Sequence, residues 1–263
     1  MIEDVLRMAV DAGAEILQRY GSVASKAKTD QSPLTEADMA SHRLIVGRLD
    51  RLTPSYPVVS EESDPACFAM ESCPDAFWLV DPLDGTKEFL KQSGEFTVNI
   101  ALVRAGRPVL GVVLAPAIGL TYWALEGQGA WKRQGETAPQ RIQTRPVDPE
   151  RLVFVASRDH AGPGVERLLG RFPQAQTTSM GSSLKFCLVA EGAADLYLRD
   201  LPTMEWDTAA AHCVLEAAGG GVKDLQGRPF RYGKPTLKNP GFAALGDVRS
   251  GADREGLFAP IFE

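Results

Sequence analysis

Between residues 77 and 126 the chain carries four apolar runs in close succession: FWLV (77–80), FTVNIALV (96–103), PVLGVVLA (108–115) and LTYWALE (120–126). Runs of this length, rich in branched and aromatic residues and separated by short polar breaks, read as β-strands. Arg104-Ala105-Gly106-Arg107 has the length and the glycine of a hairpin loop, so an antiparallel meander is predicted. The segments before it have another period. Ile2, Val5, Leu6, Ala9, Val10, Ile16 and Leu17 fall close to three-and-four spacing, which predicts an amphipathic helix over 1–20 ended by Gly21. After the polar stretch SKAKTDQSP, Thr35 to Leu52 reads as a second helix, and PVVS (57–60) as a short strand running into Glu61 and Glu62.

Past residue 140 the pattern alternates. LVFVAS (152–157) and ADLYLRD (194–200) read as strands, while 163–171, LKFCLVAEG (184–192) and the glycine-stopped WDTAAAHCVLEAAGGG (206–221) read as helices. An α+β lobe over 1–140 followed by an α/β lobe over 141–263 is therefore predicted, a layered α/β sandwich whose boundary lies in the polar segment near 135–150. With 263 residues, 44% of them hydrophobic, the chain can bury a substantial core.

Charge and cysteine usage narrow the function classes. Thirty-four acidic against 28 basic residues give a net charge of −6, which argues against broad binding of a nucleic-acid polymer. Glu3, Asp4, Arg7 and Asp11 interrupt the N-terminal apolar pattern as no signal peptide would, and no run approaches a membrane span, so a cytoplasmic location is expected. Attachment to the cytoplasmic membrane face has no basic amphipathic helix behind it. Cys67, Cys73, Cys187 and Cys213 show no zinc-like spacing and are expected to be reduced thiols.

The segment VDPLDGTKEF (80–89) leaves the end of the FWLV strand with two carboxylates, Asp81 and Asp84, three apart. Pro82 fixes one backbone angle and Gly85 permits a conformation that a Cβ obstructs, so a tight turn is predicted. Such a turn can aim both carboxylates and the Leu83 carbonyl at one hard cation, which takes oxygen ligands. An ordinary surface Asx-turn fits the same residues. Taken alone, Glu61-Glu62 after a strand read first as solvated charges. Asp207 before the Ala-rich helix, and Asp38 in Thr35-x-x-Asp38, read equally as helix caps.

Together, SPLTEAD (32–38), SEES (60–63), WLVDPLDGTKEF (78–89), GEFTVNIALV (94–103) and EWDTAAAHCVLEAAGG (205–220) resemble the Li⁺-sensitive, Mg²⁺-dependent phosphatases of the inositol monophosphatase superfamily, over nearly the whole chain and in order. DGTKEFLKQSGEFTVNIAL (84–102) and GSSLKFCLVAEG (181–192) are similar to its bisphosphate nucleotidase branch. The resemblance implies the layered αβαβα sandwich of the inositol monophosphatase and fructose-1,6-bisphosphatase type. It also implies two to three Mg²⁺ ions. Glu61, Asp81 and the Leu83 carbonyl would hold one ion, and Asp81, Asp84 and Asp207 a second. Thr86, hydrogen-bonded to Asp38, would orient water, with Glu62 acting directly or supporting the others.

Glu61, Leu83, Asp84, Gly85, Thr86 and Asp207 are implied to touch substrate, the N–H groups of Gly85 and Thr86 receiving phosphate oxygens. Gly181 and Ser182, opening the helix that carries Lys185, form a candidate anion site, against the plainer reading of a serine cap and a solvated lysine. His160 and Arg158 are further candidates, each also readable as a plain surface residue, while His42 and His212 read as structural. Asp159 departs from the serine usual in that branch.

The implied reaction removes the 3'-phosphate of adenosine 3',5'-bisphosphate, with its sulfated form as a second substrate, a by-product of sulfate activation. The alternative is an inositol or broad sugar-phosphate phosphatase with the same metal core; a binding protein without turnover is disfavoured by the intact set of acids. The expected assembly is a monomer or a homodimer.

Overall fold

The computed structural model describes residues 1–20, 26–27, 33–34, 36–64, 74–156 and 162–247. Gly21, Thr35, Cys67 and Cys73 lie outside the described residues. Helix α1 (Ile2–Leu17) buries Val5, Leu6, Ala9, Ala12 and Ile16 along one face, whereas Val10 and Leu17, which the spacing also assigns to that face, are exposed. Two-residue strands β1 (Lys26–Ala27) and β2 (Pro33–Leu34) pair antiparallel. Helix α2 (Glu36–Leu49) then packs on α1 through Ala37, Ile45 and Leu49.

A seven-stranded sheet follows, in the order β3 (Val58–Ser60), β4 (Ala76–Asp84), β5 (Thr97–Arg104), β6 (Arg107–Ala115), β7 (Leu120–Leu125), β8 (Gly129–Gln134) and β9 (Gln140–Ile142). The short helix α3 (Thr86–Leu90) lies between β4 and β5. The predicted meander is present, with Arg104 opposite Arg107 across the hairpin. At its edge β3 runs parallel to β4. Every residue of β5 but the last is buried, because α1 covers one face of the sheet and a later helix the other. Burial on both faces removes the polar alternation of a half-exposed strand, which is why FTVNIALV is apolar but for Thr97 and Asn99.

The remaining elements are β10 (Val153–Ala156), α4 (Pro163–Arg171), β11 (Gln176–Ser179), α5 (Leu184–Ala190), β12 (Leu196–Arg199), β13 (Thr203–Met204), α6 (Ala209–Ala218), β14 (Gly221–Asp224), β15 (Lys238–Asn239) and β16 (Phe242–Leu245). A second sheet has the order β11-β10-β12-β16-β14. Only β11, β10 and β12 are parallel; β16 pairs antiparallel with both neighbours. The alternating α/β expectation thus holds for half of this sheet. Between β14 and β16 no helix crosses back over the sheet, so the chain returns in the opposite direction.

The layers run α1/α2, seven-stranded sheet, α5/α6, five-stranded sheet, α4. One apolar cluster joins Val113 and Ala124 of the first sheet to Ala210 and Val214 of α6 and Tyr197 and Ala244 of the second. Phe154, Leu168 and Leu196 form the outer cluster beneath α4. Cys187 and Cys213 are buried free thiols in the central layer. Among the described residues, no helix is long and apolar enough to cross a membrane.

Candidate active site

The DPLD segment is not a tight turn after a strand. Strand β4 continues through it to Asp84, with Asp81 opposite Asn99 and Asp84 opposite Thr97, so three steps on β4 match two on β5. That extra residue is a β-bulge. In a regular strand, residues three apart point to opposite faces; one inserted residue returns both carboxylates to the same side. The Leu83 N–H donates to Asp81 Oδ1 at 3.1 Å, and Ser41 of α2 donates to the Pro82 carbonyl at 2.8 Å, which ties the bulge to the helix that carries Asp38. The turn comes one residue later than predicted. Gly85 has φ +90°, and a Cβ there would lie 3.3 Å from the Phe96 Cα, so this bend requires glycine. Thr86 follows as the first residue of α3.

Glu61 leaves the end of β3, its N–H donating to the Val80 carbonyl at 3.1 Å, which sets it beside β4. Ser60 behind it shares a 2.9 Å hydrogen bond with His42 Nδ1. Burial lowers the pKa of His42, against the pull of Glu62. Asp207 does not cap α6, whose N-cap is Thr208; its Oδ2 accepts the Met204 N–H at 2.8 Å and closes the preceding turn. That turn is braced twice. Buried Glu205 accepts from the backbone N–H groups of Gly233 and Lys234 and from Lys234 Nζ, and Asn239 Nδ2 donates to the Met204 carbonyl at 2.7 Å.

Acids from four separate segments therefore share one electrostatic environment. Burial pushes Asp81 well above the usual carboxylate range, and Glu61, Asp84, Asp207 and Asp38 add to the shift. Asp207 is raised by burial and then by Asp84, partly opposed by the Met204 N–H. Asp84 is raised by burial, while Lys185 and the Ser183 N–H work the other way. Buried carboxylates this strongly coupled cannot all stay ionised without a countercharge. Their donors are all oxygen and suit a hard divalent cation. Among the described residues no three such groups close into a finished cage, so the fit rests on donor chemistry and shared burial.

Opposite them lies the segment before α5. Its backbone donors are not open as predicted: the Gly181 N–H donates to Glu95 Oε2 at 2.8 Å and the Ser183 N–H to Asp84 Oδ2 at 2.6 Å. Ser182 Oγ donates to the Glu95 carbonyl at 2.9 Å. Lys185 is buried rather than solvated, with Nζ 3.2 Å from the Met180 carbonyl and 5.6 Å from the Tyr197 ring centre. Burial lowers its pKa and Asp84 opposes that. Asp84, Gly85, Ser182, Lys185 and Asp207 line one cavity together with Arg199 and Thr203, which sequence reasoning passed over. Arg199 is the last residue of β12, where the strand pattern of ADLYLRD masked the significance of a terminal cation. His160, Arg158 and Asp159 lie outside the described residues.

Comparison with known proteins bears on this arrangement. The inositol monophosphatase family model matches residues 2–246. The 3'(2'),5'-bisphosphate nucleotidase CysQ of Escherichia coli (strain K12) is 48% identical, covering 92% of this chain and 98% of its own. The protein of the same name from Buchnera aphidicola is 38% identical, over 93% of both chains. The crystal structure of CysQ from Bacteroides thetaiotaomicron superposes with a TM-score of 0.80 at 38% identity, covering 94% of this chain and 97% of that one. A Thermotoga maritima IMPase shares the fold at a TM-score of 0.76 and 23% identity, over 98% of this chain and 97% of its own. In sequence and in fold, the chain belongs to the inositol monophosphatase family, a family of generally metal-dependent phosphatases.

Proposed function

We propose that the chain is a Mg²⁺-dependent phosphate-monoester hydrolase that removes the 3'-phosphate of adenosine 3',5'-bisphosphate, giving AMP and phosphate, and also accepts the sulfated counterpart. The observation that carries this reading is the convergence of Glu61, Asp81, Asp84, Asp207 and Asp38 on one buried, mutually repelling site. The likeness to bisphosphate nucleotidases across 92% of the chain supports the choice of substrate.

Glu61, Asp81 and the Leu83 carbonyl would hold one Mg²⁺, and Asp81, Asp84 and Asp207 a second, with a weaker third leaning on Glu61. When bound, the ions supply Lewis acidity and neutralise charge on the phosphoryl oxygens. Thr86 would orient water, its hydroxyl accepting from water while donating to Asp38, with Glu62 in support. The N–H groups of Gly85 and Thr86 receive phosphate oxygens. Lys185 and Arg199, across the cavity, meet the negative charge of the rest of the substrate.

Measured kcat/KM for adenosine 3',5'-bisphosphate, inositol 1-phosphate and fructose 1,6-bisphosphate, with and without Mg²⁺, tests the reading. A clear preference for the nucleotide that vanishes on chelation is expected. Preference for either sugar phosphate would transfer the chain to the broad sugar-phosphate alternative.

A further inference from the structure

Ser183 sits at the N-cap of α5, where a serine side chain ordinarily accepts a hydrogen bond from the first turn of its own helix, an interaction worth about 1 kcal/mol. Ser183 makes no such bond. Its hydroxyl instead points across to β5, 2.7 Å from Asn99 Oδ1 and 3.0 Å from Thr97 Oγ1. All three side chains are buried. A hydroxyl has one proton, and the Asn99 carbonyl oxygen can only accept, so Ser183 donates to Asn99 and Thr97 donates to Ser183. This assignment turns the Asn99 amide nitrogen toward Asp84 Oδ2, 3.5 Å away. The same carboxylate oxygen takes the Ser183 backbone N–H at 2.6 Å, across 99 residues of chain.

We propose that Ser183 and Asn99 are positioning residues for Asp84: together they hold its carboxylate in the orientation that receives the metal, and they tie it to the segment Gly181–Lys185 facing the substrate. The proposal rests on the reading of Asp84 as a metal ligand. Ser183 forgoes a local cap for a contact that only the assembled cavity offers, and Asn99 stands opposite Asp81 in the β4–β5 ladder, at the bulge itself. Outer partners that orient ligating carboxylates typically change metal affinity by about 10–100-fold when removed.

Calorimetric titration of the full-length protein with Mg²⁺ alone is the test. Ser183→Ala keeps the backbone N–H and deletes the hydroxyl, and Mg²⁺ affinity is expected to fall about tenfold. Asn99→Ala is expected to show a loss of the same size, and the double variant no more than either single, because both residues act through one chain of bonds. If Ser183→Ala does not fold, Thr97→Val removes the hydroxyl that lies 3.0 Å from Ser183 Oγ and 3.5 Å from Asp84 Oδ2, and Mg²⁺ affinity is expected to fall in the same way. A folded variant with lowered melting temperature but wild-type Mg²⁺ affinity, or additive losses in the double variant, overturns the proposal. A wild-type protein that binds Mg²⁺ yet leaves the bisphosphate nucleotide intact would instead defeat the functional reading, while the binding comparison still decides this one.

Discussion

Arg145 grips Asp195 with two guanidinium nitrogens, Nε 2.8 Å from Oδ1 and Nη2 2.7 Å from Oδ2. Asp195 also accepts the Val153 N–H at 2.7 Å, and its side chain has no exposed surface. The pair therefore straps the connection between the two sheets onto the start of β12. Removing one partner of a fully enclosed pair costs about 3–5 kcal/mol. Arg145 is 36% exposed, so water partly compensates. Arg145→Ala is expected to lower unfolding stability by about 2–3 kcal/mol in urea titrations, with Arg145→Lys recovering less than half because it loses the two-pronged contact. A loss under about 0.5 kcal/mol, the size of an exposed pair, would refute this.

Asp84→Asn keeps an acceptor for the Ser183 N–H and removes the charge that the proposed reading offers to a metal. Thermal unfolding should shift by no more than a few degrees, while kcat/KM for the bisphosphate nucleotide drops by at least about 100-fold, the upper range for merely supporting residues. Retention of more than a tenth of wild-type activity would remove Asp84 from the metal site.

At Gly111 of β6 the first sheet and α6 touch backbone to side chain: an added Cβ would overlap the Ala210 carbonyl oxygen and sit 2.8 Å from the Cys213 Cβ. Gly111→Ala must push α6 off the sheet, which costs about 1–3 kcal/mol or more where the neighbours are backbone. Chemical denaturation of the variant measures it, and a stability equal to wild type would show that the helix shifts freely.

Acid sensitivity should have a local signature at Asp224. Burial disfavours its ionised form, but the N–H and guanidinium of Arg228 and the N–H of Gln226 outweigh that and hold its carboxyl below the ordinary 3.8. A depressed carboxylate stabilises the fold fully above the unfolded value, and the contribution disappears as pH falls below about 3.8 toward the folded value. Asp224→Asn should therefore flatten the acid limb of a melting-temperature curve recorded from pH 6 to pH 3. An unchanged limb would place the acid-labile groups elsewhere.

Much of this architecture was legible in the residues, and the exceptions have physical causes. Long, doubly covered strands such as β5 and β6 announce themselves because both faces must be apolar. By contrast, β8 (GAWKRQ), mostly half-buried, and β11 (QTTS), half of it exposed, carry mixed or polar sequences and lack the unbroken apolar run of a doubly covered strand. The bulge between Asp81 and Asp84 was misread as a turn, since proline, glycine and two aspartates have the composition of one. Only the register against Asn99 and Thr97 distinguishes the two. The acidic candidates stood out in the sequence because they sit at the ends of recognisable elements. Asn99 did not, because it lies inside a largely apolar run where a stray polar letter looks like noise, and its partner Ser183 is 84 residues away.

The contact of α6 with β5 through β8 has a consequence for how the protein would fail. Asp207 is carried by the turn leading into that helix, so its placement against Asp81 and Asp84 is inherited from interior apposition, not from a loop free to adjust. Damage to the apolar seam around Ala210 and Val113 should misalign the charges before it melts the molecule. Loss of turnover would then be the earliest symptom of wear in a protein that by every bulk measure is still intact.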